Sequence, residues 1–219
     1  MSSGSSVAPG STRILLLRHA ETAAPGQFHG AESDVGLGPR GFEQAEAAAP
    51  GIAQSQPAAI YSSGMLRARQ TAAVIARTCS LAVVAVPELH ERRMGSLSGM
   101  PMADGWDAYI AAMNAWKAGD LDAAQEGGES FAQIRDRVIP ALELLARRHA
   151  DETIVVVAHG VVIRVVLTCW LDGGPSRFDE FGIDFVAVND LTFDGRSWRA
   201  SALNGQPVGN QSGPTSAGD

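Results

Sequence analysis

The sequence predicts a three-layer α/β domain in which a mainly parallel central sheet is flanked by helices. Two short apolar runs carry much of that reading, Ile14-Leu15-Leu16-Leu17-Arg18-His19 and Ile154-Val155-Val156-Val157-Ala158-His159. Strands buried on both faces have this character, and the second run is also rich in β-branched residues. Both runs end in a histidine. Open α/β sheets bind ligands outside the carboxyl ends of their parallel strands, so distant parts of the chain can deliver two histidines to one crevice. The third observation is the alternation of strand-like and helix-like segments along the chain, the pattern of a sheet with helices on both faces.

In chain order, residues 13–17 form the first strand, and Pro39 opens a helix to about Gln54, because a missing N–H costs least in a first helical turn. Residues 58–61 read as a second strand, 66–79 as a helix and 81–86 as a third strand. The segment 95–128 is an insertion with its own helix, on which Trp106, Tyr109, Ile110, Met113 and Trp116 share a face; that face suits an amphipathic helix packing on the domain or a helical cap over the crevice at the strand ends. Ser130 and Gln133 make a capping box for a long helix, with Phe131, Ile134, Val138, Leu142 and Leu145 at helical spacing and a kink expected at Pro140. A strand over 153–158 leads into a buried helix, Val161 to Leu171. Residues 185–193 and 197–203, joined by Asp194-Gly195-Arg196, read as a terminal hairpin.

A chain of 219 residues suits one domain, expected over 11–203, with disordered tails at 1–10 and 204–219 where small and polar residues dominate. With 45% apolar and 19% charged residues the composition is that of an ordinary globular protein. A net charge of -7 argues against nucleic acid or an anionic membrane as partner. The longest apolar stretch is too short to span a bilayer and contains Arg164, and the first eleven residues lack the pattern of a secretory signal, so the expected location is cytoplasmic. Cys79 and Cys169 read as buried free thiols, and no Cys/His spacing suggests a metal site. No cofactor is expected, and the sequence leaves the oligomeric state open.

Five motifs in order raise the two histidines above an accident of patterning. Arg18-His19-Ala20-Glu21-Thr22 resembles the Arg-His-Gly-Glu-Thr/Ser signature of the histidine phosphatase superfamily, the phosphoglycerate mutase-like group, with Ala20 for the usual glycine. Ser62-Ser63 with Arg67, Gln70, Thr71 and Ala72 resembles its second motif. Leu89-His90-Glu91 with Gly95 and Gly99 resembles the third, and Gly128-Glu129-Ser130 and Ala158-His159-Gly160 the last two. The resemblance implies a phosphoglycerate mutase-like fold, a phosphomonoesterase acting on a small phosphorylated metabolite, His19 as phosphoryl acceptor, Glu91 as proton donor and His159 as charge stabiliser.

The residue types suit that chemistry. A transferring phosphoryl group spreads charge over three oxygens, and arginine binds such oxygens bidentately while staying charged, which makes Arg18 and Arg67 the phosphate-binding candidates. Arg69, Arg77 and Arg137 read as solvated surface residues, and His90 and His149 as uninvolved. Glu21 and Glu129 are the next proton-donor candidates, and Arg92, Gln27 and His29 are candidate substrate contacts, with Arg93 beside Arg92. Where the family commonly places an asparagine and an arginine after the first motif, the chain has Pro25 and Gln27. The polar anchors of the glyceromutase branch correspond to Met94, Met102 and Val161, which favours hydrolysis over mutase transfer; a silent phosphate-binding protein would not need both a nucleophile and a proton donor.

Overall fold

The computed structural model describes residues 9–171 and 173–208. Its centre is the pairing that the two apolar runs dictate. Strands β1 (Thr12–Arg18) and β4 (Thr153–Ala158) lie parallel and in step from Arg13 opposite Thr153 to Arg18 opposite Ala158. The backbone N–H of His19 then donates to Ala158 O at 2.9 Å, so both histidines leave the sheet at the same edge on adjacent strands. On the far side of β4 lie β2 (Ala59–Ser62) and β3 (Val83–Ala85), both parallel. Beyond β1 the sheet turns antiparallel through β5 (Val188–Phe193), β6 (Trp198–Leu203) and β7 (Gln206–Pro207), giving the order β3-β2-β4-β1-β5-β6-β7.

The layers follow from the two-residue period of the strands. Ile14 and Leu16 with Ile154 and Val156 pack in one cluster with residues of α4 (Phe131–Arg148) and α5 (Gly160–Trp170). Leu15 and Leu17 with Val155 and Val157 pack in the other, against α1 (Pro39–Ala53) and α2 (Leu66–Cys79). These eight side chains are at most 3% exposed, and each contributes about 1.5–3 kcal/mol of transfer free energy. A one-residue slip of either strand would exchange the two faces. The capping box of α4 is formed, Ser130 Oγ accepting from Gln133 N and Ser130 N donating to Gln133 Oε1, and the helix runs unbroken through Pro140.

Four details differ from the sequence reading. β3 is shorter than 81–86, because at the sheet edge it has a partner on one side only and Val84 is half exposed. The hairpin begins at Val188 rather than 185, since Val186 adopts a left-handed φ of 54° and Phe185 turns to cover Arg18. β7 lies inside the segment expected as a tail, paired with β6; residues 1–8 and 209–219 of the expected tails lie outside the described residues. Cys169 is exposed near the end of α5 rather than buried, while Cys79 is half-buried, and both are free thiols.

The insertion closes on itself at an isolated bridge between Met94 and Gly128. Gly95 sits there at a φ of +51°, where a Cβ would come within 2.0 Å of Glu126 O, so only glycine fits. Its helix α3 (Met102–Lys117) uses its expected face in two ways. Met113 and Trp116 are buried in the main core, Trp116 meeting Phe131 and Phe178 edge-on. Trp106 is 45% exposed and stacks on Tyr109 at the other end of the helix, beside the carboxyl edge of the sheet.

Candidate active site

A cavity of about 620 Å³ opens at the carboxyl edge of β1 and β4. Arg18, His19, Glu91 and Gly160 contribute to its lining, and so do residues 24–29, the first turns of α3, and Arg164, Ile183 and Phe185. His19 is nearly buried, and its Nδ1 lies 2.7 Å from Ala20 O. A carbonyl only accepts, so Nδ1 carries the hydrogen and Nε2 keeps the lone pair. The second motif fixes this arrangement, because Thr71 Oγ1 accepts from Ala20 N at 3.0 Å while donating to Arg67 O, and Gln70 Oε1 holds Leu37 N. Burial, and then the charges of Arg67 and Arg18, hold the His19 imidazole well below its usual pKa, so it is neutral.

His159 faces it with ring centroids 5.1 Å apart. It is fully buried, and among the described residues neither ring nitrogen has a hydrogen-bond partner. Burial first, with Arg67 and His19 adding to it, keeps this imidazole neutral as well. Arg67, on the first turn of α2, is also fully buried; its Nη1 donates to Ser33 O at 2.8 Å and its Nη2 to His29 O at 3.3 Å. Arg18 donates from Nη1 to Ile183 O at 2.9 Å and lies 4.1 Å over the Phe185 ring. The Nε atoms of both arginines are buried with no partner among the described residues. Arg67 and His159 are not among the lining residues, but His159 packs against His19 and the charge of Arg67 acts on it, and because buried charges and unpaired donors are costly the arrangement suits an anion.

Glu91 is 8% exposed rather than solvated. Its Oε1 accepts from Arg92 N at 2.8 Å and its Oε2 from Val161 N, in the first turn of α5, at 3.4 Å. Its charge acts on both Arg18 and Arg67, so the acid belongs to the same site. The other two candidate acids stand elsewhere. Glu129 is chelated by Arg137 Nε and Nη2, both at 2.9 Å, and also accepts from Arg93 N. Burial opposes its ionisation, but Arg137, the Arg93 N–H and His90 together outweigh burial and hold the carboxyl below the usual range. Glu21 faces Arg40 at 3.6 Å, off the cavity wall.

Arg137 is therefore no solvated residue, since it also donates to the Glu88 and Glu91 carbonyls and braces the segment carrying Glu91. Arg69 and Arg77 are exposed as expected. Arg92 is not on the cavity wall: its Nε donates to Glu129 O, its Nη2 to the Gln125 side chain, and its guanidinium lies 4.6 Å over Trp116. A carbonyl and an aromatic face have drawn it into the base of the insertion. Arg93 is exposed and lies outside the cavity lining. Gln27 and His29 do line the cavity, Gln27 exposed at a bridge to Pro101. His29 has both nitrogens engaged, Nε2 with Ala24 O and Nδ1 with Ser33 Oγ. His149 is bound to Tyr61 and Glu152, and His90 Nδ1 to Glu91 O.

Arg164 is the cavity residue that motif reading passed over. Its signal was present, one charge in an otherwise apolar helix, one turn after Gly160. Ile183 and Phe185 gave none, because a chain reversal brings them to the site. Among the described residues, no group of three or more His, Cys, Asp or Glu is placed to hold a metal ion, and no helix is long and apolar enough to cross a membrane.

Residues 14–206 match the family model of the histidine phosphatase superfamily (branch 1). The chain is 41% identical over 194 residues to a metal-independent phosphoserine phosphatase of Arabidopsis thaliana, covering 85% of this chain and 81% of that protein. It is 32% identical over 186 residues to phosphoserine phosphatase 1 of Hydrogenobacter thermophilus, covering 84% and 88%. Among solved structures it is similar to a mycobacterial glucosyl-3-phosphoglycerate phosphatase, with a TM-score of 0.76, 26% identity, and 89% of this chain and 99% of that one covered.

Proposed function

The chain belongs to the histidine phosphatase superfamily, branch 1, and on that premise we propose that it is a metal-independent phosphomonoesterase that hydrolyses a small phosphorylated metabolite through a phosphohistidine on His19. The observation that carries this reading is the neutral His19 imidazole, its Nδ1–H committed to Ala20 O, beside two arginines and a histidine with unpartnered donors. In the proposed reaction His19 Nε2 attacks phosphorus as the bond to the ester oxygen breaks, and Arg18 and Arg67 take the peripheral oxygens. His159 donates to one of those oxygens as charge develops. Glu91, protonated at this stage, gives its proton to the departing alkoxide; as carboxylate it then takes a proton from the water that attacks the phosphohistidine, returning neutral His19 and free phosphate.

Hydrolysis is favoured over mutase transfer because Met94, Met102 and Val161 line the cavity at the positions of the mutase anchors, leaving less to retain a second phosphoglycerate. O-Phosphoserine, the substrate named for the relatives above, is the first ester to try. A cytoplasmic setting accords with the composition. The test is phosphate release across a panel of metabolite esters, with and without EDTA. Release that survives chelation is expected. Loss on chelation with recovery on adding a divalent ion would refute metal independence, and transfer from a bisphosphate primer to 3-phosphoglycerate outrunning hydrolysis would point to a mutase.

A further inference from the structure

Besides Arg18, one arginine lines the cavity, Arg164 on α5. Its neighbours Val161, Val162, Ile163, Val165, Val166 and Leu167 are all buried, while Arg164 itself is half-buried and interrupts the helix's apolar face with a charge. Packing alone does not account for it. Nε donates to Phe181 O at 3.0 Å and the guanidinium lies 5.8 Å from the Phe178 ring, but among the described residues neither Nη atom has a hydrogen-bond partner and no carboxylate forms an ion pair with it. Tyr109 reaches the same cavity from α3, its ring set by Phe28 at 5.2 Å and Trp106 at 5.6 Å. Its hydroxyl has no partner among the described residues, and burial raises its pKa, so it stays a donor. Arg164 is the charge that acts most strongly on that phenol, followed by Glu91, which opposes it, and then by Arg92 and Arg18.

We propose that Arg164 and Tyr109 form a second anion site within the cavity, which reads a carboxylate carried by the substrate a few bonds from its phosphate ester. The proposal rests on the phosphatase reading above and names the substrate class of that site. With Nε occupied, the Nη1 and Nη2 donors are left as a pair, and a planar pair of donors matches the two oxygens of a carboxylate. One guanidinium balances a monoanion, whereas a second phosphate dianion would remain undercompensated; Asp179, which also lines the cavity, is paired with Lys117. The spacing agrees, because four residues of helix separate Arg164 from Gly160 by about 6 Å along the axis, the reach of a small phosphorylated acid.

The test uses matched esters that differ in the carboxylate, O-phosphoserine against O-phosphoethanolamine and 3-phosphoglycerate against glycerol phosphate, with p-nitrophenyl phosphate as a reporter of phosphoryl transfer itself. In the native enzyme kcat/KM should favour the acid of at least one pair by roughly 10- to 100-fold. Arg164→Gln should bring that ratio close to one, and Arg164→Lys should keep part of it, since it retains the charge but not the fork. Tyr109→Phe removes one hydroxyl without disturbing the ring stack and should lower the ratio several-fold, which decides the matter if the arginine variants do not fold. Native turnover that ignores the carboxylate in both pairs, preference for a bisphosphate, or equal losses on both members in every folded variant would overturn the proposal. No release from any ester, p-nitrophenyl phosphate included, would instead overturn the phosphatase reading on which it rests.

Discussion

A nitrogen lone pair at His19 Nε2 depends on an unprotonated ring with its hydrogen parked elsewhere, and both conditions are met by burial between Arg18 and Arg67 and by the bond to Ala20 O. Keeping two histidines neutral has a consequence for stability. The folded-state values of His19 and His159 lie below the ~6.5 of an unfolded chain, so above that pH neither state takes up the proton and nothing is lost. As the pH falls through ~6.5 the unfolded chain binds protons that the fold refuses, and stability drops until the folded values are reached. The melting temperature should therefore be lower at about pH 5.5 than at pH 7.5, and the drop should be smaller in His159→Gln; equal drops would mean that other groups set the acid limb. Glu91, tied to Val161 N and Arg92 N, is the proposed proton donor. Glu91→Gln should slow hydrolysis of alkyl phosphates by about 100-fold or more and that of aryl phosphates much less, because an aryl oxide leaves with little help. Equal slowing of both classes would argue for a different acid.

At the scale of elements, α1 contains two glycines in opposite situations. A Cβ on Gly41 would come within 2.0 Å of Glu21 O, in the segment that follows His19, whereas Gly51 has nothing within 4 Å. Gly41→Ala should cost about 1–3 kcal/mol and lower the melting temperature by roughly 2–4 °C per kcal/mol. Gly51→Ala should raise it slightly, since alanine is the better helix former. The opposite order would mean that α1 does not rest on the Glu21 backbone. Elements were readable where local pattern and tertiary environment agree. The helix over 66–79 and the strand over 153–158 have the bounds their residues suggest, the helix stopping where Ser80 turns left-handed and the strand buried along its whole length. β3 and β7 are short edge elements that depend on pairing with a neighbour, so neither composition nor periodicity delimits them.

For the whole molecule, the site is two strand ends, one helix start, one loop and an inserted helix brought to one edge of a sheet. Arg18, His19, Arg67, Glu91 and His159 were readable because each sits in a motif whose order along the chain matches a known one. Arg92 sits beside Glu91 in one of those motifs and still turned away, because its direction is decided by Glu129 O, Gln125 and Trp116, all distant in sequence. Tyr109 and Arg164 are the converse, residues outside the motifs that nevertheless reach the cavity, one from the face of the inserted helix and the other one turn after Gly160. The claim on which the mechanism stands is covalent attachment of phosphate to His19. Quenching during turnover without acid should trap an acid-labile, base-stable phosphate on His19, absent in His19→Ala and formed more slowly, at the same residue, in His159→Ala. Phosphate trapped on His159, or full turnover by His19→Ala, would contradict it.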